Sequence, residues 1–268
     1  MYPINQLFDL ILRPFRSVRP IIPLALIALL TGILLLVVYR YTSDQRAIRR
    51  AKDKLEAHLL EVRLFQEQLR AVLRAYPRLL LGILNYLRYS LRPLLVMAVP
   101  LFILLVQLEA FFGWMPNRVG NDFLVKAKVA DSAALDQIEL NVPQGLALSA
   151  PPLHIPDEKE IDWRIAADRP GEYSLAVLIQ GATFAKTVDI SSQLVRVSPI
   201  RLQGNWLDRL LHPSEAQLPR NGPLQSIEVQ YSSRNFHVWG YALDWLLVFL
   251  ALSLIAGFAL KGVFGVQI

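Results

Sequence analysis

The sequence has no cysteine among its 268 residues. A disulfide framework is therefore excluded, and so is any zinc or redox site that depends on a thiolate ligand. Motifs of known chemistry are missing as well, because the chain contains no phosphate-binding P-loop, no GxSxG nucleophile turn and no HExxH zinc motif. His154, His212 and His237 are scattered and lack the spacing of metal ligands. We therefore expect a protein that is not an enzyme and that holds no cofactor and no metal.

Charge is rare in three long hydrophobic runs. Hydrophobic residues make up 54% of the chain and charged residues 19%, a balance that soluble domains seldom show. Residues 21–39 hold no charge, and a helix needs about 20 such residues to cross the ~30 Å hydrocarbon core of a bilayer. No small-residue cleavage site follows this run, so we expect an uncleaved anchor rather than a signal peptide. The runs predict transmembrane helices over residues 20–41, 93–114 and 239–261.

Two acidic residues lie close to the ends of the later runs. Glu109 lies about one turn before Trp114, and Asp244 lies about one turn after Trp239. Together with Trp245, these tryptophans predict one aromatic belt at a membrane interface. We expect both carboxyl groups near the outer interface, where the cost of placing them is modest.

Basic residues are unevenly distributed between the runs. Residues 42–92 hold eleven Lys and Arg against five Asp and Glu, whereas residues 114–238 hold twelve against fourteen. Basic segments close to the spans stay in the cytoplasm, so we predict a protein of the bacterial inner (cytoplasmic) membrane. In this topology residues 42–92 and the tail at 262–268 are cytoplasmic, and the N-terminus and residues 115–238 lie outside.

Residues 1–19 mix apolar side chains with three arginines, Arg13, Arg16 and Arg19. This composition predicts an amphipathic helix that lies on the membrane surface. An irregular leader is the alternative interpretation.

The predicted cytoplasmic segment has the pattern of a long helix. Residues 42–45 match a capping box, no glycine or proline follows before Pro77, and apolar residues recur at heptad spacing. The predicted coiled-coil seam consists of Ile48, Leu55, Val62, Phe65, Leu69 and Val72. After Pro77 the chain could return as an antiparallel hairpin; otherwise the first arm lies partly on the membrane or contacts another protein. The basic excess suits anionic lipid headgroups or ribosomal RNA.

Residues 115–238 differ in character, because turn residues recur and the apolar runs are short. Gln180, Gly181 and Ala182 predict a hairpin turn between two strands. Some seven strands in this length predict an extracytoplasmic immunoglobulin-like β-sandwich with an irregular insertion at 205–223. The stretches typical of strands are residues 122–129, 137–142, 161–166, 172–180, 182–190, 193–198 and 226–232. The core candidates are Trp163, Tyr173, Leu175 and Val177.

This region also contains an acidic cluster, Asp157, Glu158, Glu160 and Asp162. We interpret the cluster as a solvated loop. A calcium site is the alternative, although no turn glycine completes a calcium-loop pattern.

The order of these segments resembles the YidC-type membrane insertase superfamily. A span, a charged coiled segment, a second span with prolines and a third span follow one another, with local likeness in RPLLVMAVPLFILLVQ. The likeness is greatest to the three-helix branch, which includes archaeal YidC-like proteins and the third subunit of the endoplasmic-reticulum membrane protein complex, here with an inserted β-domain. It covers residues 20–113 and 239–262. The resemblance implies a non-enzymatic protein that assists membrane-protein insertion or assembly through a half-open polar groove. Its candidate groove residues are Arg40, Arg92, Gln107, Ser253 and Lys261.

A second hypothesis is an accessory or scaffolding subunit of a bacterial envelope complex. The β-domain would then bind one partner and the coiled segment another. The expected partners are the lipid bilayer and either membrane-protein clients or envelope-complex subunits, and the sequence predicts no oligomeric state.

Overall fold

The computed structural model describes residues 2–42, 69–238 and 240–264, together with residues 50, 53, 56, 57 and 60. The chain divides into two compact units. One unit comprises Met1–Leu24 with Leu104–Val248, and the other comprises Ala25–Ile103 with Phe249–Ile268.

Three helices in the described residues are long and apolar enough to cross a membrane, at Ile21–Thr42, Pro93–Gly113 and Trp245–Gly262. This agrees with the three runs of the sequence. Within residues 2–42, 69–238 and 240–264 the helices are α1 (Tyr2–Leu12), α2 (Ile21–Thr42), α3 (Leu69–Leu108), α4 (Trp206–Leu211) and α5 (Trp245–Phe264). A 3₁₀ turn at Arg13–Phe15 follows α1, and a π-helical turn at Glu109–Gly113 follows α3.

Helix α3 passes through Pro77 without a break, and it also contains Pro93 and Pro100. A hairpin turn at Pro77, one of the alternatives that the sequence left open, is therefore not formed. A proline removes one backbone hydrogen bond from a helix, but leucine, the dominant residue of this stretch, is a good helix former. The predicted boundary between a cytoplasmic segment and a second span lies inside this continuous helix.

Thr42 is the last residue of α2, and its hydroxyl donates to the carbonyl of Val38 at 2.7 Å. We had expected Thr42 to cap a following helix. A threonine hydroxyl inside a helix readily bonds the carbonyl four residues earlier, so this side chain belongs to the preceding helix instead.

The last helix begins at Trp245, six residues later than the hydrophobic run predicted. Strands at Asn235–Val238 and Tyr241–Asp244 pair antiparallel just before it. Gly240 has φ +86 between them, a conformation that favours glycine. Asp244 is not inside the span, because its carboxylate accepts from the backbone N–H of Leu246 at 2.8 Å and caps the helix start.

The β-rich domain is built from antiparallel sheets. Its strands are β1 (Trp114–Met115), β2 (Asp122–Val129), β3 (Ile138–Asn141), β4 (Leu146–Leu148), β5 (Leu153–Ile155), β6 (Glu160–Ala167), β7 (Gly171–Ile179), β8 (Ala182–Ile190), β9 (Ile200–Leu202), β10 (Leu224–Val229), β11 (Ser232–Ser233), β12 (Asn235–Val238) and β13 (Tyr241–Asp244). The larger sheet has the strand order β4-β6-β2-β10-β9, with β5 also paired to β6, and the smaller sheet has the order β3-β7-β8. Short strands add two further pairs, β1 with β11 and β12 with β13.

The β4-β6-β2-β10-β9 sheet and the β3-β7-β8 sheet both contribute to one hydrophobic core. Alternate residues of β2, β6, β7 and β8 are buried, as period-two patterns predict. Of the four core candidates, Trp163, Leu175 and Val177 are buried, and Tyr173 packs at the edge of the core. The Tyr173 hydroxyl donates to the carbonyl of Arg169 at 2.9 Å.

The predicted hairpin turn between β7 and β8 is confirmed. Gln180 and Gly181 both have positive φ, 49 and 78, as a two-residue hairpin turn requires. Ile179 pairs with Ala182 directly across the turn, so Ala182 is the first residue of β8 and not a turn residue as predicted.

Two expectations for this domain are wrong. Residues 193–198 form no strand, because their N–H groups bond outside the sheets: Leu194 donates to Arg16 and Val197 to Ala110. The insertion at 205–223 is not wholly irregular, since it contains α4. The Asp208 carboxylate there accepts from the backbone N–H of Asn205 at 2.8 Å, which stabilises the start of this helix.

Candidate functional site

An apolar cavity lies between α2, α3 and α5, and we call it the hollow. Its volume is about 240 Å³. None of its described lining residues carries a charge. The lining residues are Gly32, Leu35, Leu36, Tyr39, Leu94, Met97, Ser253, Leu254, Gly257 and Phe258.

Small residues allow α2 and α5 to approach closely beside the hollow. A Cβ atom on Gly32 would lie 2.6 Å from the backbone oxygen of Ser253 and 3.1 Å from the Cβ of Ala256. No side chain larger than hydrogen fits there unless a helix moves. Small residues at such contacts are a common means of packing helices in a membrane.

The five residues expected to form a polar groove are not gathered around the hollow. Ser253 alone is among its described lining residues, and its hydroxyl donates to the Leu250 carbonyl at 3.0 Å. Arg40 is exposed in the last turn of α2, Lys261 is exposed near the end of α5, and Arg92 lies within α3. The Lys261 ammonium lies 5.4 Å from the centre of the Phe258 ring.

Gln107, the fifth of these residues, belongs to a buried polar network in the other compact unit. Its amide donates to the side-chain oxygen of Asn5 at 3.0 Å, and its own oxygen accepts from Arg196 at 3.2 Å. Arg196 also donates to Asp9 at 3.0 Å and to the Asn5 carbonyl at 3.1 Å. These bonds attach α1 to the end of α3 and to the segment after β8.

Sequence reasoning missed this network. Gln107 stood out as a polar residue in an apolar run, but its partner Asn5 is 102 positions away in the sequence. Arg196 had been assigned to a strand. The one available signal was the pair Asn5 and Asp9, which lie four residues apart on one face of the N-terminal helix.

A polar cleft in the same unit adjoins this network, with a volume of about 590 Å³. Asp189 lies in it, at the end of β8. Burial and the neighbouring Glu172 carboxylate raise the pKa of Asp189 to about 7. The cleft is lined by Asp9, Arg16, Pro170, Gly171, Glu172, Thr187, Asp189, Ile190, Ser191, Gln193, Val195, Arg196, Ser198, Ser214 and Glu215.

A buried ion pair fixes one wall of the cleft. The fully buried Lys186 ammonium lies 2.6 Å from the Glu215 carboxylate and donates to the Ser198 carbonyl at 2.6 Å. The second Glu215 oxygen accepts from the Thr187 N–H at 2.7 Å. Burial lowers the pKa of Lys186, and the Glu215 charge opposes that effect. The pair holds the loop after α4 against β8.

Glu109 also has a partner. Trp245 Nε1 donates to its carboxylate at 2.9 Å. Gly113 leaves room for this carboxylate, because a Cβ there would lie 2.5 Å from Glu109 Oε1. This bond joins the end of the second apolar helix to the start of the third.

The acidic cluster divides into two parts. Glu160 and Asp162 both face Lys126, whose ammonium lies 2.8 Å from Glu160 and 3.5 Å from Asp162. Asp157 and Glu158 are exposed in the turn before them. No group of three or more His, Asp or Glu in the described residues is placed to hold a metal ion.

Most of the predicted coiled-coil seam lies outside the described residues, namely Ile48, Leu55, Val62 and Phe65. Leu69 and Val72 lie in the first turns of α3.

No protein family, curated protein or solved structure matches this chain. The resemblance to YidC-type insertases therefore rests on the order of the segments.

Proposed function

We propose that this chain is an integral membrane protein that assists the insertion or assembly of other membrane proteins. The hollow between α2, α3 and α5 is the observation that carries the proposal. In this account the hollow receives apolar side chains of a client segment while the client enters the bilayer. Insertion of the client in this account involves no covalent chemistry.

The position and lining of the hollow favour a hydrophobic occupant. Gly32 lies eleven residues into α2, which places it about 16 Å along the helix and near mid-membrane. Leu36, Met97 and Leu254 line the hollow from three different helices; Leu36 and Met97 are buried, whereas Leu254 is exposed. The unbranched methionine side chain repacks readily around different partners. An apolar lining suits client helices better than the polar groove implied by the resemblance.

We further propose that residues 42–92 face the bacterial cytoplasm and that the β-domain lies outside. The basic excess at 42–92 supports this orientation. The last turns of α2 and α5 support it too, because each carries a basic residue, Arg40 and Lys261. Anionic lipid or a ribosome would then be the partner of the basic segment.

The β-domain is proposed to be immunoglobulin-like. Two antiparallel sheets around one core support this. The bond from the Tyr173 hydroxyl to the Arg169 carbonyl supports it as well, since a tyrosine bonded to the backbone a few residues upstream marks a corner of such sandwiches.

Site-specific crosslinking tests the proposed client site. A photoreactive residue at Leu36, Met97 or Leu254 is expected to crosslink to newly made membrane proteins, and release of nascent chains before irradiation should abolish the products. Matched controls are Leu30, Val99 and Ile255, which are exposed residues of the same three helices outside the hollow. Crosslinks to lipid alone, or none to nascent chains at any of the three sites, would reject the proposal.

A scaffolding subunit remains the second candidate, and the polar cleft of the β-domain favours it. A cleft of about 590 Å³ with arginine and carboxylate side chains suits a charged segment of a partner. This alternative predicts crosslinks from the cleft to one fixed partner and none from the hollow to nascent chains.

A further inference from the structure

Helix α4 turns its apolar side away from the protein. At about 100° per residue, its four apolar residues fall on one half of the helix and Asp208 and Arg209 on the other. Trp206 is 70% exposed, Leu207 48% and Leu211 44%. Asp208 and Leu210 are half-buried, and Arg209 is exposed. A helix on a soluble domain normally does the opposite and buries its apolar side.

Helix α1 also leaves apolar residues exposed. Its inward side carries Leu12 and Asn5, which are both buried, and Asp9, which pairs with Arg196. Its outward side carries Leu7, Leu10 and Ile11, and Leu10 is 65% exposed. Two helices from distant parts of the sequence thus present leucine-rich surfaces outward.

The two helices are linked, and both adjoin the end of a candidate membrane span. The Asn5 amide donates to the carbonyl of Pro213 at 2.7 Å, two residues beyond the end of α4. Leu211 and Pro213 line a small cavity of about 90 Å³ together with Val106 and Glu109. The latter two residues belong to the apolar stretch Pro93–Gly113.

We propose that α1 and α4 form one membrane-contacting surface that lies in the headgroup region of the outer leaflet. The partner is a lipid surface, because the exposed apolar residues continue from the end of a helix that is itself apolar enough to span the bilayer. Tryptophan is enriched at this depth in membrane proteins, which suits Trp206. Exposed Arg13, Arg16 and Arg19 follow α1 and can reach lipid phosphates.

This surface gives the β-domain a second attachment to the membrane besides the transmembrane helices. It goes beyond the proposed client function and depends only on the insertion of Pro93–Gly113 into a bilayer. Amphipathic helices of this kind bury their apolar side about 5–10 Å into the boundary between headgroups and acyl chains. The account therefore predicts a definite depth for Leu10 and Leu207.

Fluorescence quenching by lipid tests the proposal on the full chain. Single cysteines at Leu10→Cys and Leu207→Cys are labelled with an environment-sensitive dye after reconstitution of one copy per nanodisc, and the native chain, which has no cysteine, gives the blank. Both labels are expected to be quenched several-fold more by lipids with a spin label high on the acyl chain than the label at Ser132→Cys. Ser132 is an exposed residue elsewhere in the same domain.

The controls separate the possible outcomes. Each labelled protein must retain the thermal transition of the unlabelled chain, which is expected because Leu10 and Leu207 are largely exposed. If Leu207→Cys is quenched no more than Ser132→Cys, the surface does not include α4 and the proposal is overturned. No client is present in this assay, so its result is independent of the crosslinking experiment.

Discussion

At the scale of single residues, the environment of Asp189 is unusual for a carboxyl group. Its carboxyl group is half-buried beside Glu172, and Arg16 and Lys186 offset the repulsion only in part. The pKa rises from 3.8 to about 7. The folded protein therefore binds this proton more tightly than the unfolded chain does. Since the folded pKa is raised, stability decreases as the pH rises from about 4 to about 7.

We predict that Asp189→Asn stabilises the β-domain at about pH 8 and has little effect at about pH 5. The Asp189 carboxyl group destabilises the fold only when it is ionised, and it is ionised at the higher pH. A shift of this size corresponds to about 1–4 kcal/mol at the higher pH once solvent relaxation is allowed for. Thermal unfolding of the full chain in detergent, followed by near-UV circular dichroism, measures the effect. The exposed Asp136→Asn serves as the control, and an equal effect of Asp189→Asn at both pH values contradicts the account.

The residue contacts were the least predictable part of the structure. Local patterns identified Trp163, Leu175 and Val177 as core, because alternation along one strand decides which face a side chain occupies. Arg196 could not be assigned in this way. Its partner Asp9 lies 187 positions away, and only the folded chain brings the two together. Arg40 and Lys261 were grouped as groove residues because both are basic and both end an apolar run. A common charge and a common depth in the membrane do not establish that two side chains lie close together.

At the scale of elements, the approach of α2 to α5 depends on Gly32. A methyl group at this position would meet the backbone oxygen of Ser253 at 2.6 Å, and backbone atoms cannot move aside as a flexible side chain can. The packing of these two helices determines the shape of the hollow. The same glycine was unremarkable in the sequence, because a glycine inside an apolar helix gives no indication of what it faces.

We predict that Gly32→Ala lowers the thermal stability of the protein in detergent by roughly 1–3 kcal/mol, the usual cost of overpacking a close contact. The matched control is Gly262→Ala in α5, where no atom that the structure describes lies within 4 Å of the added methyl group. That change is expected to be neutral or slightly stabilising, because alanine favours a helix over glycine. Equal destabilisation by both substitutions would show that the loss comes from glycine itself and not from the contact.

Elements with a strong period were predictable, and those held by distant contacts were not. The three apolar helices and strands such as β2 and β8 followed from hydropathy and alternation. Residues 193–198 also alternate, yet their N–H groups bond to Arg16 and Ala110 rather than to a strand. At Pro77 a rule that prolines end helices failed, because the surrounding leucine-rich sequence favours a continuous helix.

At the scale of the whole molecule, charge and hydropathy separate along the chain. Residues 42–92 carry a basic excess of six (eleven minus five), whereas residues 114–238 carry an acidic excess of two (fourteen minus twelve). The described part of the chain contains three helices apolar enough to span a membrane, and they lie outside these segments or overlap their ends. The central claim is that the helices cross the inner membrane with the β-domain outside and the basic segment in the cytoplasm.

Cysteine labelling in spheroplasts tests this claim most directly, because the native chain has no cysteine and gives no background. The substitutions are Ser132→Cys in the β-domain and Ala57→Cys in the basic segment, and both residues are exposed. The account predicts that a membrane-impermeant thiol reagent labels Ser132→Cys in intact spheroplasts and labels Ala57→Cys only after lysis. Labelling of Ala57→Cys in intact spheroplasts, with Ser132→Cys protected until lysis, would contradict the topology and with it the proposed site of client entry.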